Sequence, residues 1–368
     1  TGTQVSASPS SLIFTSGNWN VAQAVTVTSL DDNVVEGTHS GSITHAVSSA
    51  DSNYNGLSIA GVPGISITDN DSATVQFAPA SVSQSEATTP MAFTVTLSNP
   101  VASGVTVTVN STAGTATSPA DFTAISGGTV SFPANSTTAQ TVNVTLSNDA
   151  LDENNETFTL TLSNPVATGT VTLGAASAAT GTIEDDDAQP VLSVAKVSQP
   201  EGNASNTLSF TVNLSPVSGR AVTFTRATVD GSAVSTGPNP DFVAINGSTV
   251  TIPAGDTQVT IPVTINGDTT FEGDQGFSLS LTAVNNATPG ELSATGTLVD
   301  DDQQPTTTTI TSDQPDASVV GQAYTVNVTV AAVSTSPTGT VSITDGTGAS
   351  CNAPLTAGTV PNSSASCT

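Results

Sequence analysis

The chain has 368 residues, of which 30 are acidic and three basic, giving a formal net charge of −27 at pH 7. That balance excludes nucleic acid and anionic membrane surfaces as partners, since both are held by basic surface. Only 9% of residues are charged and 36% are hydrophobic. The apolar residues alternate instead of recurring at three and four, so the chain reads as all-β. No apolar run approaches the ~20 residues of a membrane span.

Residues 1–71 read as the later part of a domain. Strands are expected at 11–14, 24–28, 41–47 and 64–69, with an acidic loop holding Asp32, Glu36 and His39. Strands that would complete a sandwich are missing ahead of them. The chain is therefore expected to be a window of a longer polypeptide, and this half-domain to be completed by other polypeptide. Its exposed sheet edges would suit a strand from the same chain or from an identical neighbour in a fibre.

Residues 72–187 are the best copy of the unit. Expected strands fall at 73–77, 91–97, 105–109, 128–133, 140–146, 157–162 and 181–183, each alternating with period two. Residues 188–302 repeat this plan. Asp32, Asp149 and Asp268 open equivalent acidic loops at offsets of 149 − 32 = 117 and 268 − 149 = 119, and a period of that size is a whole domain. Residues 303–368 change character. Residues 303–305 and the following Thr run read as a linker, with strands at 323–330 and 339–343. Cys351 and Cys367 are the only cysteines. In a Thr/Ser-rich, Lys-poor chain they are expected to form a disulfide.

The acids recur as an ordered set. In the first complete copy the set is Glu86, Asp121, Asp149, Glu153, Glu156, Asp185, Asp186 and Asp187. In the second it is Glu201, Asp241, Asp268, Glu272, Asp300, Asp301 and Asp302, with Gln275 where the pattern has Glu. The partial copy keeps Asp32, Glu36, Asp69 and Asp71, with His39 at the third loop position. Calcium takes six to eight oxygen ligands in flexible geometry, whereas Mg²⁺ keeps more water and zinc prefers Cys and His. A cation also reverses the mutual repulsion of such carboxylates, about 0.8 kcal/mol for a pair ~5 Å apart in water.

This ordered set resembles the Calx-beta domain of sodium–calcium exchangers and many large bacterial surface proteins: an early Glu, an Asp-Phe, a Phe/Ile-Pro-Ala turn, the acidic loop and a closing Asp run. The resemblance covers two full copies, 72–187 and 188–302, and the second half of a third, 1–71. Residues 303–368 more weakly resemble the first part of a bacterial immunoglobulin-like repeat. The resemblance implies tandem immunoglobulin-like, antiparallel β-sandwiches arranged as a rod. It also implies calcium at the acidic residues named above, with two or more ions per complete domain. Ions at Asp185–Asp187 are expected to restrain the joint to the following domain.

Catalytic chemistry is not evident. His39 and His45 are the only histidines, and Trp19, Tyr54 and Tyr324 the only Trp and Tyr residues, which leaves little for a triad or a sugar platform. Paired carboxylates alone do not separate a glycosidase from a metal cluster. The sequence reads as a non-enzymatic, calcium-stiffened segment of an extracellular bacterial adhesin stalk or surface fibre. The alternatives are a glycan- or cell-binding module and a calcium sensor within a larger protein.

Overall fold

The computed structural model describes residues 4–314, 319, 321–346 and 348–368. They form two compact units, Thr1–Ala188 and Gln189–Thr368. Among the described residues there are only strands and irregular segments.

The first unit opens with the partial copy. Strand β1 (Val5–Ser8) pairs antiparallel with β2 (Thr26–Ser29), and β3 (His39–Ile43) with β4 (Val62–Ile67). Residues 11–14, expected as a strand, form none. Their counterpart in the complete copy pairs with a strand that has no equivalent among residues 4–71, so their backbone has no ladder to join. The two small sheets do not enclose a core. Val25 and Val27 are each 39% exposed, while their counterparts Val142 and Val144 are 6% and 0% exposed. A neighbouring strand and the facing sheet cover the counterparts.

In the complete copy that strand is present. Its strands are β5 (Ser72–Phe77), β6 (Ser81–Ser85), β7 (Met91–Leu97), β8 (Val105–Ala113), β9 (Gly128–Phe132), β10 (Gln140–Val144), β11 (Glu156–Val166), β12 (Thr170–Leu173) and β13 (Ala178–Glu184). They make a four-stranded sheet, β10-β7-β5-β12, and a five-stranded one, β6-β13-β11-β8-β9. Strand β7 sets Val142 and Val144 opposite Phe93 and Met91. Most pairs are antiparallel, but β5–β12 and β6–β13 are parallel. The opening segment is split: β5 lies inside one sheet, next to its edge strand β12, and β6 forms an edge of the other. This split and the short β6 and β12 are not visible in the sequence pattern.

The inward residues of both sheets form one core, including Phe77, Phe93, Phe122 and Phe158. Burying each such ring stabilises the fold by about 1.5–3 kcal/mol. Phe158 faces Gly181 across the β11–β13 ladder. A Cβ at Gly181 would lie 2.5 Å from the Phe158 ring, so only glycine admits the ring there. Val35, from the acidic loop of the partial copy, is fully buried in the same core. Its amide donates to Pro100 O and its carbonyl accepts from Ala102 N, both at 2.9 Å.

The second unit repeats the sandwich with β14 (Val191–Val194), β15 (Val197–Pro200), β16 (Ser205–Ser215), β17 (Val222–Val229), β18 (Ser248–Ile252), β19 (Gln258–Asn266), β20 (Gln275–Asn285), β21 (Thr288–Pro289) and β22 (Ser293–Val299). The sheet orders are β19-β16-β14-β21 and β15-β22-β20-β17-β18, the same topology as before. After it come β23 (Thr307–Gln314), β24 (Thr325–Ala331), β25 (Thr340–Thr344), β26 (Ser350–Pro354), β27 (Thr356–Ala357) and β28 (Asn362–Cys367). The Thr run read as linker is thus strand β23, drawn into pairing with β24. Cys351 and Cys367 form the expected disulfide. Closing a loop of that length is worth roughly 3 kcal/mol in the chain-entropy account.

Candidate metal centre

The topology gathers the acids. Strands β6 and β13 run parallel and end together, and β11 begins beside the end of β13. Glu86 directly follows β6, and its amide donates to Glu184 O at 3.1 Å. Asp185–Asp187 directly follow β13, and the loop from Asp149 leads into Glu156 at the start of β11. Three strand ends therefore deliver these acidic segments to one end of the sandwich, and Asp121 joins them from the loop between β8 and β9, beside the Phe122–Leu146 bridge. The second sandwich does the same, with Glu201 after β15, Asp300–Asp302 after β22 and Gln275 opening β20.

Two three-carboxylate groups result in the first complete copy. Glu86, Asp149 and Asp187 each bring an oxygen within 4.8 Å of the others, and so do Asp121, Glu153 and Glu156. The second copy has one such group, Glu201, Asp300 and Asp302. Asp268 and Glu272 also bear on the Glu201 carboxyl.

The other closing residues hold the backbone, and Asp300 does so in addition to its place in the group. Asp185 Oδ1 accepts from Glu153 N at 3.1 Å, and Asp300 Oδ2 accepts from the amides of Glu272 and Gly273 at 3.2 and 2.7 Å. The first Asp of each closing run thus pins the acidic loop. Asp186 Oδ2 accepts from Ser85 Oγ at 2.5 Å, and Asp301 Oδ1 from Gly202 N at 3.0 Å. The middle Asp holds the strand carrying the early Glu. Sequence reasoning missed Asn155 and Asp274, whose side chains accept from the amides of Asp185 and Asp300. Their shared place in the repeat was the available signal.

Aromatic packing places the outer carboxylates. Phe122, next to Asp121, stacks on Phe158, two residues beyond Glu156, with ring centroids 4.5 Å apart. Phe242 stacks on Phe277 in the same way at 4.1 Å. The Asp-Phe motif is therefore an anchored carboxylate: the ring is fully buried and its neighbour's carboxylate is held at the rim. Asp121 Oδ2 accepts from Thr117 N, and Asp241 Oδ2 from Val234 N, both at 2.6 Å.

In the partial copy, Asp32, Glu36, Asp69 and Asp71 form no three-carboxylate group among the described residues. Asp69 Oδ2 instead accepts from the amides of Glu36 and Gly37, both at 2.9 Å. Burial opposes ionisation of Asp69, but the amides of Gly37, Asp71 and Glu36 outweigh it and hold the carboxyl below its usual range.

The electrostatics of the complete copies are those of crowded carboxylates with no basic side chain among them. Burial, then the charges of Asp149 and Asp187, push Glu86 up to about 7. Burial, then the hydrogen bond and charge of Asp121, push Glu156 up to about 7. Glu201 rises to about 7 through burial, then Asp300 and Glu272. Glu86 Oε1, Asp187 Oδ2 and Asp302 Oδ2 are buried and find no hydrogen-bond donor. No Lys or Arg occurs before Lys196. An oxygen-lined, uncompensated pocket fits a hard divalent cation.

A pH dependence follows for the metal-free protein. These carboxyls hold protons more tightly folded than unfolded, so their contribution is complete below about pH 4.5 and is lost as pH rises through about 7. Urea unfolding in calcium-free buffer is expected to give a lower midpoint at pH 8 than at pH 5. With saturating calcium, which needs the ionised carboxylates, that drop is expected to vanish or reverse.

Comparison with known proteins places these observations. Among solved structures, the chain is similar to the calcium binding domain CBD12 of CALX1.1 (17% identity, TM-score 0.29, covering 60% of this chain and 98% of that one). It is also similar to the apo-form Calx CBD1 domain (26% identity, TM-score 0.29, covering 31% and 98%) and to a bacterial ice-binding adhesin (16% identity, TM-score 0.26, covering 80% and 86%). No curated protein matches the chain. The Calx-beta domain matches residues 68–187 and 192–314, more than half of the chain. With two matched stretches in tandem, each covering one of the two sandwiches, the chain belongs to the Calx-beta domain family.

Proposed function

We propose that this chain is a calcium-stabilised structural segment of an extracellular adhesin stalk or surface fibre. The observation that carries the calcium reading is the inner group of each complete sandwich, Glu86/Asp149/Asp187 and Glu201/Asp300/Asp302, with its orphaned buried oxygens. A cation there ties the ends of β6 and β13 to the acidic loop in the first sandwich, and the ends of β15 and β22 to each other in the second. Without one, the same carboxylates push the strand ends apart. The structural role is supported by the tandem repetition of one sandwich and by the acid sets being the chief charged feature of the chain.

In this reading the acidic residues do mechanical work. The first Asp of each closing run pins the loop through backbone amides, and the ion then fixes the loop against the early Glu. In the first unit the loop holding Asp32 and Glu36 also plants Val35 in the neighbouring core, so a stiff acidic loop fixes one copy against the next.

Isothermal titration of the metal-free chain with calcium tests the reading. Saturable binding is expected, strongly weakened in Glu86→Ala with Asp187→Ala, and much weaker with magnesium than with calcium. Absence of calcium binding by the folded chain would refute it.

A further inference from the structure

The outer group recurs at one structural position in all three copies, but with different chemistry. In the first complete copy it is Asp121, Glu153 and Glu156. Subtracting the repeat offset gives 121 − 117 = 4, 153 − 117 = 36 and 156 − 117 = 39, so the partial copy has Gln4, Glu36 and His39. In the second complete copy the equivalents are Asp241, Glu272 and Gln275. Three carboxylates thus become two and then one.

The lost carboxylates are replaced by hydrogen-bond donors that occupy the remaining ones. Gln275 Nε2 donates to Glu272 Oε2 at 3.0 Å. In the partial copy Gln4 Nε2 donates to Glu36 Oε1 at 3.2 Å, and His39 Nε2 lies 3.2 Å from Glu36 Oε2 and 3.1 Å from Gln4 Oε1. His39 Nδ1 sits 2.9 Å from Gly37 O. The three side chains close on one another through neutral donors where the complete copy presents three acids that repel one another. The ring stack beneath is gone too: the counterparts of Phe122 and Phe158 are Val5 and Gly41, and a Cβ on Gly41 would lie 2.8 Å from Val5 Cγ1.

We propose that the outer position takes a divalent cation only in residues 72–187. In residues 188–302 the Gln275 amide occupies part of the ligand set. In residues 4–71 the Gln4–Glu36–His39 network stands in for the ion and holds the loop without metal. This rests on the calcium reading of the inner groups and assigns unequal ion loads to copies of one fold. A carboxylate that already accepts a neutral donor must give up that bond to bind a cation, and the pocket's negative charge, which draws the cation in, is smaller by one or two.

Counting bound calcium on the full chain by native mass spectrometry and calorimetry tests the proposal. Glu156→Gln copies the residue of the second complete copy and is expected to lower the count by one ion. Gln275→Glu restores the third acid and is expected to raise it by one. Melting curves in calcium-free buffer check that both variants fold. The Gln275 Oε1 atom is buried without a donor; if its neutral carbonyl already holds an ion, Gln275→Glu leaves the count unchanged and the proposal is wrong. An unchanged count in Glu156→Gln also overturns it while leaving the inner sites standing. A chain that binds no calcium in any variant overturns the calcium reading and this inference together.

Discussion

Removing calcium is expected to lower the melting temperature of both complete sandwiches by on the order of 10 °C or more. Each ion at about 100-fold over its dissociation constant contributes about 2.7 kcal/mol to the folded state. For a domain of this size, one kcal/mol shifts the midpoint by several degrees. The reason lies at the acidic end: Glu86, Asp149 and Asp187 converge within 4.8 Å, and each pair repels until a cation sits among them. Residues 72–187, with two three-acid groups, are expected to shift more than residues 188–302, with one. Differential scanning calorimetry with calcium and then with excess chelator checks both statements. Identical traces would remove the structural role assigned to the ion.

The second large effect is expected from Phe158→Ala. The ring is fully buried, stacks on Phe122 and meets Phe93 edge-on at 5.9 Å. Truncating a buried Phe costs about 3–5 kcal/mol, partly through the cavity left behind. Here the loss reaches the site as well, because the same stack holds Asp121 and Glu156 at the rim. The variant is therefore expected to lose calcium affinity even where it remains folded. Leu162→Ala serves as the control, since Leu162 is equally buried on the same strand but further from the acids. Chemical denaturation should show both variants destabilised, and calcium titration should show only Phe158→Ala with a clear loss of affinity. Equal affinities would mean that the ring supports the core alone.

Local alternation and the internal repeat made much of this chain legible before any coordinates. The period-two runs at residues 91–97 and 105–109 became β7 and β8 because the side-chain period of a strand is two and one face must be buried. The recurrence of Asp149, Glu153 and Glu156 ahead of an apolar run located the acidic end, and the lone cysteine pair located the disulfide. What the sequence by itself determined was therefore the set of strands that carry their own periodicity, and the acids as a set.

Tertiary structure decided how that set is divided. Asp185, Asp186 and Asp187 are identical in sequence terms, yet one pins a backbone amide, one accepts from Ser85 and one joins Glu86 and Asp149. Only the positions of neighbouring strand ends separate those roles. Residues 11–14 carry a strand's pattern and form none, whereas the polar Thr run from Thr307 forms β23. A strand exists only when another backbone is there to pair with it, and pattern within a segment does not report the presence of that partner. Gln4 shows the same limit at the site: it is an ordinary glutamine until the fold sets it beside Glu36 and His39, where its amide takes the place of a charge.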